Sequence, residues 1–172
     1  MTVAIRLYER LLATLAGLCM AALFGIVCVN SLRRYTTGES LRWGEELPIY
    51  LTIYGVMFGV ALACLQDRHI RFSVLADLLS ETARAQLRLL TDAATVAIGG
   101  ALTWSGWVFA TRRPQIEASG LISTAKAMAE TTGIAWLEWL GRVGTWQSAI
   151  AVGGAALTLA AALQLAAKLR RT

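Results

Sequence analysis

A chain of 172 residues that is 56% hydrophobic and only 16% charged falls well below the roughly 25% charged of a soluble domain. Three cysteines without a CxxC pair and a single histidine argue against a disulfide framework, a zinc cluster or bis-histidine haem ligation within one chain. The net charge of +5 is carried by basic residues flanking apolar runs, a membrane pattern that needs no nucleic acid to explain it.

Cutting the sequence at its ionisable residues leaves four long charge-free runs, 11–32, 47–66, 93–111 and 143–167, which hold 22, 20, 19 and 25 residues. Crossing about 30 Å of hydrocarbon at about 1.5 Å per residue takes about 20 residues. Lipid offers backbone amides no hydrogen bonds, so runs of this length predict transmembrane helices. The expected fold is an all-α integral membrane protein, a single domain over 1–172 with four transmembrane helices plus short amphipathic interfacial helices.

Arg6 and Arg10 precede the first run, as in a secretory signal. The run is longer than a signal's apolar stretch and ends at Asn30 and Ser31 without a small-x-small site, so we expect an uncleaved helix. Gly17, Ala21 and Gly25 in span one, and Gly55, Gly59 and Ala63 in span two, recur every four residues. Such ridges permit close helix approach in lipid, and they are candidate contacts between the two spans or with a partner. Cys19 and Cys28 are about 900° apart on a helix, hence on opposite faces, and read as packing residues.

Between these spans lies Arg42, Trp43, Gly44, Glu45, Glu46. Two readings stand side by side. Adjacent carboxylates at a helix start gain from the helix dipole; alternatively they form a charge network with Arg33, Arg34 or a partner's basic residue. After span two, the spacing of apolar residues over 67–92 predicts an amphipathic helix on the membrane surface before span three begins. Ile134, Trp136, Leu137, Trp139 and Leu140 in the stretch 117–142 predict an interfacial helix or tilted arm feeding span four.

Nine Arg and Lys on the side of the termini against seven on the other favour cytoplasmic termini. Trp43, Trp104, Trp107, Trp136, Trp139 and Trp146 all fall on or near the opposite side, and the last five are candidate periplasmic-face anchors. No catalytic, cofactor-binding or metal-binding residue is predicted: there is no phosphate loop and no GxSxG elbow. Charge-free spans also lack the groups expected of an ion pathway.

Trp43, Gly44, Glu45, Glu46 and Leu47, then Phe58, Gly59, Val60, Ala61, Leu62 and Ala63, then His69 and Ile70 resemble the DctQ/SiaQ-type small membrane subunit of tripartite ATP-independent periplasmic (TRAP) transporters. The residue-level match covers about 41–79, and the four-span layout agrees over the whole chain. Arg68 stands where the family usually has glycine, Phe72 and Ser73 where it has Val-Asp, and the family's usual proline before span four is missing.

The resemblance implies a non-catalytic subunit bound to a large membrane subunit that carries substrate and sodium by an elevator motion. A periplasmic solute-binding protein would deliver solutes, typically organic acids, and phospholipids would surround the whole. It implies no cofactor here, with sodium expected in the large subunit. Trp43, Glu45, Glu46, Gly55, Gly59, His69, Gly17 and Gly25 are then candidate interface or structural residues. An accessory or assembly subunit of an unrelated membrane complex is the alternative reading, and a small membrane enzyme is the third.

Overall fold

Apolar runs without interior breakers leave the backbone one way to satisfy its own amides, and the protein takes it throughout. The computed structural model describes residues 3–66, 80–112, 119–134 and 143–169. These form five helices with no strand among the described residues: α1 (Val3–Thr37), α2 (Glu46–Leu65), α3 (Glu81–Arg112), α4 (Ser119–Thr132) and α5 (Val143–Leu169). All but α4 are long and apolar enough to cross a membrane. This is the all-α, four-span architecture expected from the charge-free runs.

Helix ends explain why the elements exceed those runs. The 35 residues of α1 continue past the apolar run until Gly38, which adopts φ 75°. Its N–H bonds Arg34 O at 3.1 Å, a left-handed stop that favours glycine. At the other side of the chain Ser80 Oγ accepts from Ala83 N–H at 3.4 Å, which places Ser80 as the N-cap of α3.

Two expectations change here. From residue 81 onward there is no separate surface helix before span three. Glu81–Arg112 is one continuous α-helix, because residues 81–92 contain no glycine or proline and are mostly strong helix formers. The earlier part of that predicted element, 67–79, lies outside the described residues. On the opposite side, the observed helix α4 precedes the residues whose spacing suggested one. It ends at Gly133, with φ 70° and an N–H bond to Ala129 O at 2.8 Å; Ile134 follows the stop, and 135–142 lie outside the described residues.

Packing runs in the order α1, α2, α5, α3, with α4 attached to α2. The core forms where Leu12 of α1, Phe58, Ala61, Cys64 and Leu65 of α2, and Leu157, Ala160 and Ala161 of α5 meet. The central pair α2–α5 is therefore the best covered, while α1 and α3 form the outer members. Only Leu12 of α1 is buried, and Phe24 remains 68% exposed. In water this much uncovered apolar surface would drive association; hydrocarbon covers it at no cost.

α3 and α5 meet almost backbone to backbone. A Cβ at Gly106 would lie 2.5 Å from Ala151 N, one at Gly99 2.6 Å from Thr158 Oγ1, and one at Gly154 2.6 Å from Thr103 N. Gly153 of α5 likewise receives Met57 of α2. Glycine is required at these four positions because any side chain would separate the helices.

Candidate subunit interface

The segment between α1 and α2 is folded back onto α1 by one side chain. Asn30 Oδ1 accepts from Leu41 N–H at 2.7 Å, and Gly44 N–H bonds Leu41 O at 3.0 Å. A Cβ on Gly44 would come 2.9 Å from Asn30 Cγ, so glycine lets the turn sit against the helix. The turn thus lies level with Asn30, and the last two turns of α1, which carry Arg33 and Arg34, extend about 10 Å beyond it.

Glu46 begins α2 and serves a second helix as well. Its carboxylate oxygens accept from Gly120 N–H at 3.4 Å and Leu121 N–H at 3.2 Å, the otherwise unsatisfied amides at the start of α4. Gly120 packs directly on the Arg42 carbonyl, where a Cβ would collide. Leu121 is buried against Trp43, Leu47, Tyr50 and Trp146, and the Tyr50 and Trp146 rings stack at 5.8 Å. The Glu46 carboxylate ties α2 to α4, and the aromatic cluster around Leu121 brings Trp146 of α5 to the same end of the layer. Glu45 is exposed beside it.

The opposite end is tied by three polar contacts of another kind. Gln66 Nε2 donates to Glu9 Oε1 at 2.6 Å and links α2 to α1. Gln164 Nε2 donates to the Leu65 carbonyl and links α5 to α2. Lys168 Nζ meets Asp92 Oδ2 at 2.5 Å and links α5 to α3. Between the ends, Tyr8 O–H donates to Ala156 O at 2.8 Å, and the Tyr54 hydroxyl lies 3.1 Å from Ser148 Oγ.

Between the two ends, much of the uncovered surface is apolar. Gly17 and Gly25 face outward with no heavy atom within 4 Å of where a Cβ would lie. On α3, Trp104 and Trp107 are 73% and 64% exposed. Among the described residues no group of three His, Cys, Asp or Glu could hold a metal ion. The arrangement offers surfaces rather than a reaction centre.

Residues 23–171 match the family described as the DctQ component of tripartite ATP-independent periplasmic transporters. The chain belongs to this family. Over 98 residues it is 30% identical to the sialic acid TRAP transporter small permease protein SiaQ of Vibrio cholerae, covering 57% of each chain. Over 70 residues it is 33% identical to the sialic acid TRAP transporter permease protein SiaT of Haemophilus influenzae, covering 41% of this chain and 11% of that one. The chain therefore spans little more than half the length of the first relative and about a tenth of the second. DctQ-type proteins are non-catalytic transport components.

Within this DctQ-family chain the singled-out residues separate into groups. Trp43, Glu46 and Trp146 converge on the α2–α4 junction, where Trp146 is half-buried against Leu121. Gly55 receives α1, with Met20 Cε and Cys19 Cβ at 3.1 and 3.3 Å from its would-be Cβ, whereas Gly59 has no heavy atom within 4 Å. The α1–α2 contact therefore uses Cys19 and Met20 against Gly55, with Gly17 and Gly25 turned away. His69, Trp136 and Trp139 lie outside the described residues. The seam of Gly99, Gly106 and Gly154, the Asn30 latch and the Asp92–Lys168 pair were missed by sequence reasoning. A seven-residue spacing between Gly99 and Gly106 was the one available signal.

Proposed function

We propose that this chain is the small permease subunit of a TRAP transporter in the bacterial inner membrane, with both termini cytoplasmic. It braces a large membrane subunit that carries solute and sodium, and it widens the surface on which a periplasmic solute-binding protein docks. The solute class is organic acids, and the chain itself needs no cofactor. The observation that carries this reading is the open layer: α1 and α3 leave broad apolar faces uncovered, and among the described residues no group of three His, Cys, Asp or Glu converges. The relative in which the matching segment is a small part of a longer permease protein supports close association with a larger membrane partner. The Glu46-anchored helix α4, on the side opposite the termini, suits a docking arm.

The test is co-expression with a candidate large subunit and a tag on one chain. Co-elution in mild detergent is expected, together with solute uptake that requires both. Clean separation of the two, with uptake by the large subunit alone, overturns the bracing role. Labelling of single cysteines placed at Thr36 and at Lys168 by a membrane-impermeant reagent in intact spheroplasts tests the orientation: Thr36 should label and Lys168 should not.

A further inference from the structure

The charge-free run of α3 ends in a charge at each side, and the two charges are treated differently. Asp92 is partly buried and paired with Lys168. Arg112, the last residue of α3, is exposed, and no carboxylate of the described residues pairs with it. At a membrane boundary a guanidinium with no carboxylate partner among the described residues is open to an anion.

Arg112 and Ser105 line a recess of about 430 Å³ that has Trp104 as one wall. The same Trp104 walls a second groove, about 730 Å³, between α3 and α5. That groove is lined by Gly100 of α3 and by Ala151, Ala155 and Leu159 of α5. The periodicity of α3 explains the adjacency: Gly100, Trp104 and Trp107 share one face, while Ser105, Val108 and Arg112 share the face one residue round. A polar recess and an apolar groove thus meet at one indole. The groove falls within the ~300–1,000 Å³ of sites that hold small molecules.

We propose that the Arg112 end of α3 binds an anionic phospholipid, its phosphate at Arg112 and Ser105 and one acyl chain in the α3–α5 groove. Charge selects this occupant. A partner helix would fill the apolar groove without supplying an anion to Arg112, whereas a phospholipid supplies both halves, and guanidinium matches phosphate with paired donors. The inference rests on membrane insertion alone and stands whether or not the transporter role does.

Native mass spectrometry of the full chain, titrated with phosphatidylglycerol or with phosphatidylcholine of the same acyl chains, tests it. Phosphatidylglycerol should be retained about five-fold more tightly, the effect of one arginine near a phosphate surface. Arg112→Gln should abolish that preference and Arg112→Lys should keep it. Arg33→Gln, on the far edge of the layer, should leave it unchanged. Gly100→Leu should weaken retention of both lipids alike. Equal retention of the two lipids by the unaltered chain, or a preference that survives Arg112→Gln, overturns the proposal.

Discussion

Two junctions hold this layer together by opposite means. Where α2 meets α4, the contact is made by long and polar side chains: the Glu46 carboxylate on two amides, Leu121 among Trp43, Tyr50 and Trp146. Where α3 meets α5, side chains are removed, and Gly99, Gly106 and Gly154 let backbones touch. The first junction lies at the membrane boundary, where water satisfies any group left over and aromatic rings suit the interface. The second lies in hydrocarbon, where burial of apolar area gives helices no advantage over lipid and only close van der Waals packing holds them. Depth in the bilayer decides which kind of contact each pair of helices uses.

The seam should be the harder to disturb without collapse. Gly106→Leu forces side-chain atoms into the Ala151 backbone, 2.5 Å from where a Cβ would lie. Destabilisation by about 3 kcal/mol or more is expected, the upper range of overpacking, because backbone cannot yield as a side chain can. Loss of helical circular dichroism during SDS titration of detergent-solubilised protein measures it. A change below ~1 kcal/mol would show that α3 and α5 are not in contact at this level.

The α2–α4 junction should respond less, and locally. Glu46→Gln keeps the shape of the side chain but removes the charge from hydrogen bonds to two N-terminal amides. A loss of about 1–2 kcal/mol is expected, read as faster hydrogen exchange at Gly120 and Leu121 with α1 and α5 unaffected. Glu45→Gln, one residue away and exposed, should change neither rate. Equal effects of the two substitutions would refute the capping role assigned to Glu46.

These junctions also mark what the sequence discloses. Charge-free length predicts the four spans because hydrocarbon thickness is a hard constraint on any chain that crosses it. Trp43, Glu45 and Glu46 stand out as a cluster because rare, costly residues gather at a boundary. Which helix receives Glu46 was not legible, since the amides of Gly120 and Leu121 carry no side-chain signature and lie more than seventy residues away. The glycine seam was hidden for the opposite reason. With 15 glycines in the chain, four-residue ridges occur on α1 and α2 as readily as on α3 and α5, and periodicity alone does not say which face turns inward.

The polar tie at the other end tests whether boundary contacts near the termini resemble the Glu46 junction. Lys168 and Asp92 are both partly buried, 26% and 16% exposed, so their attraction is only partly screened while each side chain loses solvation. Asp92→Asn should cost about 1 kcal/mol in the same SDS titration. The double exchange Asp92→Lys with Lys168→Asp should recover most of it. Failure of the exchange to recover any stability would mean that the pair reports proximity of α3 and α5 and contributes nothing of its own.

The smallest effect is expected on α1, and it sharpens the contrast with the seam most directly. Gly17 and Gly25, eight residues apart, have the spacing of a packing ridge much as Gly99 and Gly106 do at seven, yet nothing lies within 4 Å of their would-be Cβ atoms. In the isolated chain Gly17→Leu and Gly25→Leu should therefore shift stability by less than ~0.5 kcal/mol, the range of surface substitutions away from any packed feature. The gain in helix propensity over glycine even favours a slight stabilisation. A loss comparable to that of Gly106→Leu would place a helix of this same chain against the ridge and contradict the packing order α1, α2, α5, α3. Glycine in lipid is thus diagnostic only through its neighbour: the same residue at the same kind of spacing is indispensable on α3 and replaceable on α1.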